Sequence, residues 1–113
     1  MSNLYIRFLN TIDALGRANP GHSLDATEIQ LLEYILLAED KDQTLLVGDL
    51  IRLSQFGSQA TLHGRIKNLA VLGYIKLITD KEDGRKKSVV PTKLAHKYVQ
   101  FLSQCIERSL KKS

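Results

Sequence analysis

Cysteine is nearly absent: Cys105 is the single one among 113 residues, so no intramolecular disulfide can form and nothing calls for an oxidising compartment. Its place on an apolar helix position, without a cationic neighbour to lower its pKa, reads as a buried structural thiol rather than a redox sensor. No apolar run approaches the roughly 20 residues that span a bilayer. The N-terminus lacks the basic stretch and apolar run of a signal peptide. The expectation is a cytoplasmic protein with no membrane partner. Metal-ligand spacing is also missing, since His22, His63 and His96 stand apart from one another and from Cys105. There is no Ser/His/Asp constellation, no carboxylate pair in a catalytic setting and no glycine-rich phosphate loop. An enzyme is therefore not expected, and neither a metal nor a cofactor is called for. Internal repeats and low-complexity tracts are absent as well.

What is present is an uneven distribution of charge. Residues 1–57 carry four Lys/Arg against eight acids, a balance of −4. Residues 58–113 carry twelve Lys/Arg against four acids, a balance of +8, and the two give the net +4 of the chain. Such polarity points to one side of the molecule facing a polyanion. The length suits one small domain, 1–113, with one core.

Hydrophobic periodicity predicts helices at both ends. From Leu4 to Arg17, Tyr5, Phe8, Leu9, Ile12 and Leu15 recur at helical spacing, and Asn19-Pro20-Gly21-His22 breaks the pattern. A second helix starts after Asp25, with Glu28 completing a capping-box pattern, and is apolar nearly all round from Ile29 to Ala38. Thr44-Leu45-Leu46 reads as a short strand. The last helix, about Lys93–Ser109 with Thr92 as its expected N-cap, carries two apolar stripes. One runs through Leu94, Tyr98, Phe101 and Cys105, the other through Ala95, Val99, Leu102, Ile106 and Leu110. One stripe packs on the domain, and a second points to a partner, most simply another copy of the chain.

The segment 47–91 carries the functional signal. Val47–Leu53 reads as a short helix, Ser54-Gln55-Phe56-Gly57 as a turn, and Ser58–Leu72 as a second helix that Gly73 ends, which makes residues 47–72 a helix-turn-helix. Two β-prone runs around Asp83-Gly84-Arg85-Lys86-Lys87 form a basic hairpin over residues 74–91. A helix followed at once by a basic hairpin is a winged helix: the helix suits a major groove, and the hairpin tip suits the neighbouring minor groove or backbone. Leu62, Ile66 and Leu69 anchor the second helix to the core. Ala60, Gly64, Lys67, Asn68 and Val71 lie opposite, with Gln59, Thr61 and His63 near the N-terminal edge and Ser58 as N-cap. The expected DNA contacts are Ser58, Gln59, Thr61, His63, Gly64, Lys67 and Asn68 on the helix, and Arg85, Lys86 and Lys87 on the wing. Arg85 suits a narrow minor groove, and its lysine neighbours suit phosphates. Asp83 is placed to orient Arg85. Gly64 either lets the backbone approach DNA closely or is a tolerated surface glycine. His63 is either a contact or a solvated surface histidine.

With these motifs in place, the chain resembles the MarR-type winged-helix transcriptional regulators. Asp25-Ala26-Thr27-Glu28-Ile29-Gln30-Leu31-Leu32 resembles that family's core-helix opening. Leu62, Ile66, Leu69 and Gly73-Tyr74-Ile75 resemble its recognition helix and the turn into its wing, and Asp83-Gly84-Arg85 its Asp-x-Arg wing motif. Pro91-Thr92-Lys93-Leu94-Ala95 resembles the entry to its dimerisation helix. Position 64 departs from the family, where a basic residue is common, and the region after Pro91 is short for it. The resemblance implies a mainly α (α+β) winged helix-turn-helix with a two- or three-stranded β-wing and dimerisation helices over residues 1–18 and 93–111. The residues expected in the dimer interface are Tyr5, Phe8, Leu9, Ile12, Tyr98, Phe101, Leu102, Cys105 and Ile106. It further implies a homodimer that binds pseudo-palindromic double-stranded DNA as a repressor and releases it to a small-molecule effector. The alternative on the same fold is a protein-interaction module, or a part of replication or plasmid-maintenance machinery.

Overall fold

The computed structural model describes residues 3–111. Its elements in chain order are α1 (Leu4–Ala14), α2 (Ala26–Asp40), β1 (Leu45–Leu46), α3 (Val47–Ile51), α4 (Gln59–Val71), β2 (Ile75–Thr79), β3 (Lys87–Pro91) and α5 (Lys93–Leu110). The predicted first helix is shorter than its periodicity: it stops at Ala14, and a single 3-10 turn over Gly16–Ala18 follows. The short strand before α3 pairs with β3, so the wing is a three-stranded antiparallel sheet in the order β1-β3-β2. Helix-turn-helix and wing thus form the predicted α+β winged helix-turn-helix.

The chain divides into two compact units: Leu24–Ala95, and Met1–Ser23 with His96–Ser113. In Leu24–Ala95 the core is built from α2, α3, α4 and the sheet. Leu31, Leu32 and Ile35 of α2, Leu50 of α3, Leu62, Ile66 and Leu69 of α4, and Ile75 and Val89 of the sheet are all buried. Helix α2 is more one-sided than its composition implies, because Tyr34 and Leu37 remain at the surface. Tyr34 meets the ring of Phe56 edge-on at 6.3 Å, which ties the helix-turn-helix turn to α2.

Local chemistry sets the ends of these helices. Asp25 accepts from Glu28 N at 2.8 Å, and Glu28 Oε1 accepts from Asp25 N at 3.0 Å, so the expected capping box is complete. At the end of α4, Gly73 N donates to Ala70 O and Tyr74 N to Leu69 O, a Schellman turn that needs a left-handed residue in its middle. Gly73 supplies it with φ of 90°. The same turn ends α2, where Asp42 N donates to Glu39 O and Gln43 N to Ala38 O. There the left-handed position, φ 54°, is held by Asp42 rather than by glycine. Thr92, at the entry to α5, donates its hydroxyl to Gly73 O at 2.5 Å and so binds the α4–β2 turn.

The second unit holds α1 and most of α5. Asn3 caps α1 by accepting from Ile6 N at 3.0 Å, and Arg7 donates from Nη2 to Lys111 O at 2.5 Å. Tyr98 packs on the bare backbone of Gly21, where a Cβ would lie 2.5 Å from the ring. No described helix is long and apolar enough to cross a membrane.

Candidate nucleic-acid interface

Helix α4 is presented by its own N-terminus and by α2. Ser58 accepts from Thr61 N at 3.2 Å and donates to Thr61 Oγ1 at 3.0 Å, so these two hydroxyls cap the helix while staying exposed. At about 3.6 residues per turn, Ala60, Gly64, Lys67 and Val71 point away from the buried Leu62, Ile66 and Leu69. All four are exposed, Val71 by 79%. The outward face therefore carries one long polar side chain, Lys67. Beyond its chain neighbours and the helix's own backbone, nothing lies within 4 Å of where a Gly64 Cβ would stand, so no packing contact requires a glycine there.

His63 lies on one flank of this face and Asn68 on the other, and their surroundings differ. His63 helps to line an open groove of about 490 Å³ together with Arg52, Asp49, Arg85, Lys86 and Lys87. The groove thus brings the wing tip, α3 and α4 around one basic space. Arg52 was not among the expected contacts. It follows an apolar stretch of α3, and only the fold turns it toward the wing. Its pairing with Asp49 is loose, at 3.9 Å, with the arginine largely in water and the carboxylate half-exposed.

Asn68 does not belong to that surface. Its Nδ2 donates to Glu28 Oε2 at 2.5 Å, and Glu28 is only 2% exposed. Only the amide NH2 can face a carboxylate that already accepts from Asp25 N, so the orientation of Asn68 is forced. Asn68 is expected to contact DNA, and its Nδ2 is engaged with Glu28 inside the protein. Arg65, one turn back, pairs with Asp25 through Nε–Oδ2 at 3.0 Å. The capping spacing of Asp25 and Glu28 was visible in the sequence, but their second partners lie about forty residues away in α4.

The wing tip is ordered by two carboxylates. Asp83 Oδ1 accepts from Arg85 N at 3.1 Å and from Arg85 Nε at 3.2 Å, which holds the arginine as expected while its side chain stays 92% exposed. Asp80 was not singled out from sequence. Its Oδ1 accepts from Glu82 N at 2.8 Å and Asp83 N at 3.2 Å, while Asp80 N donates to Lys86 O at 2.8 Å. The amide of Glu82 first, then that of Asp83, holds the Asp80 carboxyl below its ordinary pKa, with Lys86 adding to the effect. An Asp three residues before Asp83 is the local turn signal that would have found it.

In the unit of α1 and α5, burial divides the apolar residues of α5 unevenly. Tyr98 and Cys105 are buried, so these two are removed from the expected dimer surface. Burial pushes the Cys105 thiol up, against a smaller opposing effect of Arg108. Phe8, Ile12, Phe101 and Leu102 are half-buried. Tyr5, at 65%, and Leu9 and Ile106 are exposed, as are Leu4, Ile6 and Leu110. Leu4, Tyr5, Phe8, Ile106 and Ser109 line an apolar hollow of about 400 Å³. Among the described residues no cluster could hold a metal ion.

No protein-family model and no curated protein sequence matches this chain. Solved structures do match it. MarR shares 19% identity over 94% of this chain and 74% of its own, with a TM-score of 0.61. The transcriptional regulator Tm0710 from Thermotoga maritima shares 19% over 92% and 73%, with a TM-score of 0.62. The heme sensor protein PefR from Streptococcus agalactiae, in complex with heme, shares 20% over 93% and 69%, with a TM-score of 0.63. The chain has the winged-helix fold of the MarR-type transcriptional regulators.

Proposed function

We propose that this protein is a homodimeric, sequence-specific double-stranded DNA-binding regulator of transcription, acting as a repressor in the cytoplasm. The observation that carries this reading is the groove where Arg52, His63, Arg85, Lys86 and Lys87 converge beside the exposed face of α4. Its charge suits phosphates, and its place between helix and wing suits the edge of a major groove. The exposed apolar residues of α1 and α5 support the dimer, because several large side chains share one uncovered unit. Two copies would set their α4 helices in successive major grooves about 34–36 Å apart. PefR, on the same fold, is a heme sensor, and a small-molecule effector is part of this proposal without commitment to its chemistry.

The test is a selection of bound duplexes from a random pool, followed by anisotropy titration at two salt concentrations. With about four phosphate contacts per subunit, affinity should fall on the order of ten-thousand-fold between 50 and 200 mM salt. Micromolar binding without salt dependence refutes the reading. One observation favours the second reading, a protein-interaction module: the outward face of α4 carries Ala60, Gly64 and Val71 and few base-reading groups. An Arg85/Lys86/Lys87 triple-alanine variant that keeps partner binding would support that module instead.

A further inference from the structure

We propose that the α2 capping box, Asp25 with Glu28, is the positioning device of the DNA-facing helix α4, and that Asn68 acts inside the protein rather than on a base. The inference rests on the DNA-binding reading above. Each carboxylate does two things. Asp25 Oδ1 closes the cap on Glu28 N, and Oδ2 holds Arg65 at 3.0 Å. Glu28 Oε1 closes the cap on Asp25 N, and Oε2 holds Asn68 at 2.5 Å. Arg65 and Asn68 lie three residues apart on one flank of α4, so the two anchors meet the helix along its length.

Apolar packing of Leu62, Ile66 and Leu69 sets the depth of α4 and which face it buries, while attraction between aliphatic side chains has no direction of its own to fix the last few degrees of rotation. Directed bonds from two anchors one turn apart resist that rotation. They therefore aim Gly64 and Lys67, which share the outward face. They also give the half-buried Asn68 a partner within the protein. Asp25 and Glu28 are positioning residues in this account, and neither touches DNA.

The test reverses the polarity of the pair: the single variant adds one negative charge, and the double variant restores the net charge. Asn68→Asp sets a second carboxylate against Glu28. Glu28→Gln added to Asn68→Asp restores a donor and an acceptor, with the new amide donating to the new carboxylate. The probe is the 30-base-pair duplex most enriched by the wild-type chain from a random pool. Asn68→Asp should weaken binding at least tenfold, and the double variant should return to within about threefold of wild type. Amide hydrogen exchange across α4, read without DNA, should quicken in the single variant and recover in the double. Unchanged binding by Asn68→Asp overturns the proposal. So does a double variant that recovers its α4 exchange but stays as weak as the single, since position 68 then acts on DNA directly. If the wild type enriches no duplex, the DNA reading falls, and unrecovered exchange would overturn the positioning role on its own.

Discussion

Gly64→Ala separates the two roles open to the central glycine of α4. The added methyl extends about 1.5 Å from the backbone, and nothing beyond its chain neighbours and the helix's own backbone lies within 4 Å of it. No steric cost opposes the gain in helix propensity, which is about 1 kcal/mol for glycine to alanine in a helix interior. For a domain of this size that raises Tm by roughly 4 °C. DNA binding should move the other way. If the α4 backbone lies against the groove at Gly64, the methyl overpacks a formed contact at about 1–3 kcal/mol per subunit. In a symmetric dimer this doubles, so affinity should fall at least about thirty-fold. Circular dichroism melting and anisotropy with the selected duplex, at one salt concentration, read both effects on one preparation. A higher Tm with unchanged or tighter DNA binding refutes the close approach. A lower Tm refutes the reading of Gly64 as conformationally unnecessary.

Asp80→Ala should loosen the wing tip, seen as averaged amide shifts for Glu82 and Asp83, because its carboxylate accepts from both. The pH dependence has the sign of a lowered carboxyl pKa. The ordering is complete above the ordinary aspartate value of 3.8 and is lost as pH falls through the lower folded value. NMR titration of those amides in acid checks it, and a transition above the ordinary value would contradict the hydrogen-bonded arrangement. Asp42→Gly should raise stability by about 0.5–1 kcal/mol in urea unfolding, since Asp42 occupies a left-handed position that glycine adopts freely. Tyr5→Asp should shift a dimer toward monomer by at least about tenfold in Kd, because a carboxylate in an apolar contact costs several kcal/mol. Unchanged sedimentation would place the dimer contact elsewhere.

The parts legible from sequence are those whose cause is local. Helix α4 and its stop follow from a Ser58 cap, a 3.6-residue apolar period and a glycine at the Schellman position. The Asp25–Glu28 box follows from spacing alone. The bond of Asn68 to Glu28 is not legible in the sequence, because side chains opposite or beside an apolar stripe look alike until the neighbouring helix is known. Arg52 was overlooked for the same reason: nothing around it in the chain marks the wing as its neighbour.

By itself, the sequence determined the order of elements, the position of the basic hairpin tip and the absence of disulfide, metal-ligand and catalytic patterns. Each depends on residues within a few positions of one another, where turn chemistry and periodicity act. Only the tertiary structure decided which residues of the two α5 stripes are buried, that Tyr98 sits on Gly21, and that Glu28 holds Asn68. Those outcomes depend on which surfaces meet across long separations. A helix with two apolar faces, or a polar flank with two possible partners, carries no local signal that chooses between them.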